Sequence, residues 1–166
     1  MRAPETSDLA PDFSLCQPLS QKAIRLSDYD GQDVLLVFFR GTWCPNCRKQ
    51  FKVLVENQER LRNAGIATVG VICQGEGSVQ RYLKENPLPF PLLVDGKREV
   101  AKQYGVHHWL SLEGFNLANP ALFILDRSRR IAFAYRGKNQ SDLPLPTILE
   151  KFITLLDSAC PDQALL

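Results

Sequence analysis

The stretch VLLVFF (34–39) runs directly into RGTWCPNCRKQ (40–50). Val34 to Phe39 is the longest unbroken apolar run in the chain and is rich in β-formers, so it reads as a strand buried on both faces, at the centre of a sheet. Beyond it, Phe51, Leu54, Val55, Gln58 and Leu61 recur at three- and four-residue spacing. That gives a helix over 45–63 with one mostly apolar stripe, closed by Gly65 as a C-cap glycine. The pair Cys44 and Cys47 therefore falls where a central strand ends and a long helix begins.

Three physical consequences follow from that position. Cys44 stands at the helix N-terminus, where unpaired backbone N–H groups and the positive end of the helix dipole stabilise a thiolate. Cysteines so placed have acidities shifted from about 8.5 toward roughly 3.5–7.5, with Arg40, Arg48 and Lys49 near in sequence to help. Cys47 lies three residues on, on the same helix face, so the two sulfurs can close and reopen a small ring. Pro45 at a first-turn position loses no hydrogen bond and preorganises the turn. The chemistry expected is attack by an exposed Cys44 thiolate on a sulfur or oxygen electrophile, with Cys47 resolving the product.

Working outward, residues 1–11 read as a loose lead-in, and 13–15 and 24–26 as two short strands, followed by a turn over 27–31. Residues 66–73 (IATVGVIC) form a second buried strand. Ser78 is the expected cap of a helix running to Asn86 with Val79, Tyr82 and Leu83 inward, and Pro87, Pro89 and Pro91 forbid helix beyond it. A short strand over 91–94, a small helix over 98–104 and a loop over 106–118 follow. Residues 121–126 and 131–135 read as an antiparallel hairpin. A C-terminal helix is marked by Ile148, Leu149, Phe152, Ile153, Leu155 and Leu156, entered through Pro144 and Pro146 and followed by Pro161. Strand–helix–strand units require parallel neighbours, and the hairpin adds antiparallel ones. The expectation is an α/β chain with a central mixed sheet flanked by helices, an N-terminal strand pair, and one domain over 1–166 with its core at about 10–157.

The 166 residues are 45% hydrophobic and 23% charged with a net charge of +2, ordinary globular composition without an acidic or strongly basic partner. Arg127, Arg129, Arg130, Arg136 and Lys138 cluster near one hairpin, where they read as a solvated turn rather than a nucleic-acid patch. No apolar run has the roughly 20 residues of a membrane helix, and MRAPETSDLAPDF (1–13) holds no signal-length apolar stretch, so the expected compartment is the cytoplasm. Five cysteines (Cys16, Cys44, Cys47, Cys73, Cys160) are few and odd in number for a disulfide scaffold. Structural zinc needs four ligands, and no second metal pair accompanies the first, so neither metal nor cofactor is expected. His107 and His108 read as exposed loop residues, Cys73 as a buried small hydrophobe, Cys16 as a weak candidate for an extra resolving thiol, and Cys160 as inert. Pro120, directly before the strand over 121–126, is the other informative residue: a cis Asn119–Pro120 bond would present backbone to a bound disulfide, and a trans proline would protect a strand start.

On these segments the chain resembles the thioredoxin-fold redoxins, specifically the alkyl hydroperoxide reductase/thiol-specific antioxidant, or peroxiredoxin-like, family. The resemblance covers about residues 10–157 and is carried by PDFSL (11–15), LSDYDGQDVLLVFF (26–39), RGTWCPNCRKQ (40–50), LPFPLLVDGKREVAKQYGV (88–106), NPALFILD (119–126) and YRGKNQSD (135–142). It implies a thioredoxin-like fold, with the reductase Trp-Cys-X-X-Cys motif on Trp43, Cys44 and Cys47 and the cis-proline on Pro120. A typical peroxiredoxin places Pro and Thr ahead of its peroxidatic cysteine and an Arg on a later strand. With Cys47 as that cysteine the Thr and Pro positions hold Cys44 and Arg40; with Cys44 they hold Gly41 and Val37. The Arg position holds Pro120, leaving Thr42 and Arg40 as substitutes. The acidic proton shuttle of thioredoxins is replaced by Phe38, and the helix position three beyond Cys47 holds Gln50.

The resemblance implies a thiol-dependent antioxidant oxidoreductase served by a thiol reductant such as a thioredoxin or glutathione system. Catalysis is assigned to Cys44 and Cys47, with Thr42, Trp43, Pro45 and Pro120 in support. Protein disulfide exchange is the leading activity, reduction of hydrogen peroxide or alkyl hydroperoxides the alternative, and a non-enzymatic redox-sensing module the third reading. Nucleic-acid and membrane partners are not expected.

Overall fold

The apolar run predicted as the central strand is β3 (Asp33–Phe39), and the helix that follows is α1 (Pro45–Asn63), with the predicted bounds. The computed structural model describes residues 2–111, 114–143 and 147–159; Pro144, Pro146, Cys160 and Pro161 lie outside these, and with them the readings placed on those four residues. The remaining elements are β1 (Ser14–Cys16), β2 (Ala23–Arg25), β4 (Ile66–Ile72), α2 (Glu76–Glu85), β5 (Leu92–Val94), α3 (Glu99–Gln103), β6 (His107–Ser111), β7 (Gly114–Ala118), β8 (Ala121–Leu125), β9 (Ile131–Arg136) and α4 (Thr147–Ala159), with a single 3-10 turn at Leu26–Tyr29.

The main sheet has the order β5-β4-β3-β8-β9. β3 pairs parallel with β4, and β4 with β5, because α1 and α2 supply the crossovers. β8 pairs antiparallel with both β3 and β9. β3 is thus central, and every residue from Val34 to Phe39 is at most 2% exposed. Alternation along it feeds two cores. Leu35, Val37 and Phe39 pack with Phe51, Leu54 and Leu61 of α1 and Leu149 and Ile153 of α4. Val34, Leu36 and Phe38 pack with Phe13, Val100 and Tyr104 on the opposite face. β1 and β2 form the expected N-terminal hairpin as a sheet of their own.

Four expectations are corrected. Residues 106–118 are not a loop, because β6 and β7 form an antiparallel pair there, with His107 opposite Ala118 and Ser111 opposite Gly114. The cap of α2 is Gly75, in an extended conformation with φ −64° and ψ 140°, not Ser78, and the helix starts at Glu76. Val55 is 43% exposed, whereas Gln50 is 1% exposed and takes a place in the buried stripe of α1. The lead-in is not loose: Ser7 N donates to Ile131 O (2.8 Å), Ile131 N to Asp8 O (2.9 Å) and Ala10 N to Arg129 O (2.9 Å). This segment covers the start of β9, an edge strand with backbone groups otherwise open to pairing. The arginines of that turn are correspondingly engaged. Arg129 lies 3.5 Å from Asp30 and 3.8 Å from Asp12, and Arg136 Nε donates to Tyr104 O at 2.8 Å.

Candidate active site

α1 begins at Pro45, which occupies its first turn, and Cys44 is its N-cap, with extended backbone at φ −80° and ψ 119°. The helix ends on Ala64 with Gly65 beyond it at φ +76°, a left-handed conformation that glycine adopts without steric penalty. Cys47 sits within the first turn. Both are free thiols, close enough for each to feel the other's charge. The expected exposure of Cys44 is not met, for Cys44 is 5% and Cys47 2% exposed. Both side chains turn back from the helix start into the core between α1 and the sheet. Beside them Trp43 is half exposed, with the Arg40 guanidinium 4.4 Å from its ring centroid. A Cβ on Gly41 would fall within 2.3–2.9 Å of the Trp43 ring, so this close fold-back of the indole requires glycine.

Burial pushes the Cys47 thiol up to about 11, helped by the neighbouring Cys44 and opposed by backbone hydrogen bonds from Gly41 and Arg40. Cys47 is thereby pushed toward its protonated form. Cys73, at the end of β4 with its N–H on Phe39 O (3.0 Å), is buried as expected. Burial pushes its thiol up to about 12, with the charge of Asp95 adding to the shift and Arg98 and Cys47 within electrostatic range.

Polar residues that no local pattern marked hold this loop. Gln74 Oε1 accepts from Thr42 N (2.7 Å) and Thr42 Oγ1 (3.0 Å), and Arg48 Nε donates to Thr42 O at 2.6 Å. Arg48 thus clamps the loop and lies against the Tyr82 ring at 5.7 Å. Asn46 Nδ2 donates to Gln140 O (3.1 Å), Gln140 Nε2 donates to Asn119 Oδ1 and Ala118 O (both 3.0 Å), and Asn119 Nδ2 donates to Gly137 O (2.9 Å). This chain ties the middle of the Cys-X-X-Cys turn to the segment carrying Pro120, which is buried at the entry to β8 and accepts Gly137 N at 2.7 Å. Gln50, one turn beyond Cys47, is buried with neither amide atom hydrogen-bonded to a described residue. Phe38 packs on the sheet face away from the dithiol, so the buried carboxylate of this region is Asp95, 3% exposed, with Oδ2 accepting Ala101 N at 2.8 Å. Cys16 stands exposed on the N-terminal hairpin. His107 is half-buried and His108 exposed, both on β6. Among the described residues no group of three or more His, Cys, Asp or Glu is placed to hold a metal ion.

The raised thiols fix a pH dependence. In the unfolded chain a cysteine ionises near 9, whereas Cys73 in the fold holds its proton to about 12. The folded state binds the extra proton, so the associated stability is complete below pH 9 and is lost as pH climbs toward 12. At about 1.4 kcal/mol per unit the loss is on the order of a few kcal/mol. Melting temperatures from pH 8 to 11 are expected to fall less steeply for Cys73→Ala than for the wild type; parallel curves would contradict this account.

A mixed sheet flanked by helices, with a thiol pair in the first turn of the helix leaving its central strand, defines a thiol-dependent oxidoreductase of the thioredoxin-fold redoxins. Residues 6–134 match the AhpC/TSA family, and the chain belongs to it. Peroxiredoxin Bcp of Escherichia coli K12 is 27% identical over 151 residues, covering 88% of this chain and 96% of that protein. Thiol-disulfide oxidoreductase ResA of Bacillus thuringiensis subsp. konkukian is 26% identical over 134 residues, covering 80% of this chain and 70% of that protein. Peroxidoxin BcpB of Mycobacterium tuberculosis superposes with a TM-score of 0.78 at 21% identity, over 93% of this chain and 97% of that one. The expected thioredoxin-like architecture is the one found.

Proposed function

We propose that residues 1–166 act as one redoxin domain, a cytoplasmic thiol–disulfide oxidoreductase in which Cys44 attacks and Cys47 resolves. The observation that carries this reading is the pair of free, buried thiols three residues apart at the start of α1, one at the N-cap and the other pushed toward its protonated form by burial. Cys44, as its thiolate, attacks a substrate disulfide, forming a mixed disulfide and releasing one substrate thiolate, which takes up a proton. Cys47 then loses its proton and attacks Cys44 Sγ of the mixed disulfide. The second substrate thiol leaves, and a Cys44–Cys47 disulfide remains. Two electrons have passed to the substrate, and two thiol groups of a reductant, one dithiol of a thioredoxin system or two monothiols of a glutathione system, return them as they join in a disulfide. Thr42, Trp43 and Pro45 shape the attacking loop, and Pro120 supports it from the segment tied to Asn46 through Gln140 and Asn119.

One observation favours a second reading. At 5% exposure Cys44 leaves little room for a protein disulfide, and a hydroperoxide needs less. In that case attack on the O–O bond gives a Cys44 sulfenic acid and releases water or an alcohol, and condensation with Cys47 releases a second water. Insulin disulfide reduction and peroxide consumption, measured side by side with one thiol reductant, separate the two. The expected result is catalytic insulin reduction; peroxide turnover alone would establish the second, and inactivity toward both would leave a redox-sensing module.

A further inference from the structure

A cavity of about 150 Å³ opens beside the loop carrying Trp43, the residue before Cys44, and is lined by Arg40, Trp43, Cys73, Gln74 and Arg98 among others. A space of about that size holds a benzene-sized group. Its charge is one-sided, with two guanidinium groups and no lining carboxylate. Nε of Arg40 and Nε of Arg98 are both buried without a hydrogen-bond partner, and among the described residues neither arginine is in an ion pair. Buried polar groups are satisfied in the great majority of native positions, so two orphaned guanidinium donors at one cavity call for a partner. The nearby Asp95 does not supply it: its Oδ2 accepts Ala101 N, and it meets Arg98 through backbone, Arg98 N donating to Asp95 O at 3.0 Å. Arg98 is also held at φ +59°, a conformation a non-glycine residue adopts only where the surroundings enforce it.

The cavity adjoins the loop that carries the dithiol, though neither Cys44 nor Cys47 lines it. Trp43 is both a wall and the residue before Cys44, Arg40 stacks on its ring, and Cys73 on the wall lies within electrostatic range of Cys47. Guanidinium forks recognise carboxylates through paired, charge-assisted hydrogen bonds. We propose that the Arg40–Arg98 cavity binds the carboxylate of a low-molecular-weight thiol or disulfide whose sulfur exchanges with Cys44. This rests on the dithiol reading above and adds to it the class of small molecule the site takes.

The test compares 3-mercaptopropionate with the uncharged 3-mercapto-1-propanol as reductants of the oxidised protein, following thiol release. The wild type is expected to react about tenfold faster with the carboxylate, and Arg98→Gln and Arg40→Gln each to bring that ratio toward one. Acetate is expected to slow the anionic thiol competitively in the wild type, an arm that needs no variant to fold. A wild-type ratio near one, a ratio unchanged in both variants, or no competition by acetate would overturn the proposal. If neither thiol reduces the protein, the dithiol reading fails by itself. Acetate titration of the reduced wild type, read by Trp43 fluorescence against a Trp43→Phe control, then decides the subsite: a saturable change lost in Arg98→Gln and Arg40→Gln supports it, and none refutes it.

Discussion

Cys44→Ser is expected to lower turnover by at least about 10³-fold toward whichever electrophile the wild type reduces, roughly 4 kcal/mol or more of barrier. Cys47→Ser is expected instead to stop after one attack, leaving a covalent Cys44 adduct visible by mass spectrometry. The asymmetry comes from position. Cys44 is the N-cap of α1, where the helix presents its unpaired N–H groups. Cys47, 2% exposed, has its thiol pushed up to about 11 by burial, away from the thiolate. A protonated thiol is a poor nucleophile but a ready resolver once Cys44 carries a leaving group beside it. An adduct on Cys47 in the Cys44→Ser protein, with Cys47→Ser inert, would reverse the roles and align Cys47 with the peroxidatic cysteine of the peroxiredoxins.

The centre of the fold was legible because its signals are local. Six apolar residues in β3 demand two covered faces, and the stripe of α1 with Pro45 at its start and Gly65 past its end bounds a helix without reference to anything distant. Where pairing is non-local the signal vanished. Residues 7–10 are fixed by backbone bonds to residues 129–131, which depend on where β9 lies rather than on side-chain type. The β6–β7 hairpin was missed although Phe115 and Leu117 alternate with Asn116 and Ala118 beyond Gly114, a period-two pattern with a turn glycine. Within α1, Val55 and Gln50 exchange places relative to hydrophobicity: Gln50 stands three residues beyond Cys47 on the face that meets the sheet, and geometry overrides polarity there.

The candidate site divides in the same way. Trp43, Cys44, Pro45 and Cys47 are contiguous, and their placement follows from one junction. The groups that hold them are far off in the chain, with Gln74 32 residues from Thr42 and Gln140 94 from Asn46. A lone Gln or Asn in a single sequence carries no sign of such a role. Asn119, beside Pro120, and Gln74, beside Cys73, lay next to residues already singled out. The exposure of Cys44 was misjudged because helix position fixes the backbone of an N-cap but not whether its side chain turns outward or into the core.

Phe38→Ala is expected to destabilise the reduced protein by about 3–5 kcal/mol, the largest loss from any single truncation in the sheet. Phe38 is fully buried, its ring 5.3 Å from Tyr104 and 5.8 Å from Phe123, which themselves lie 5.2 Å apart. Removing it takes one ring from a three-ring cluster on a central strand, where β4 and β8 flank the backbone and limit collapse into the space left. Tyr104 is further anchored by its hydroxyl, which donates to Pro11 O at 2.7 Å, so it cannot follow without breaking that bond. Phe133, on the edge strand β9 and 38% exposed, is the matched control, with an expected loss below about 1 kcal/mol. Urea unfolding of both variants, followed by far-ultraviolet circular dichroism, measures the difference. Equal losses would mean that the face of β3 turned away from the dithiol is not the second core of the fold. A large loss confined to Phe38→Ala, with activity per folded molecule retained, would separate the aromatic cluster that holds the sheet from the face on which the thiols work.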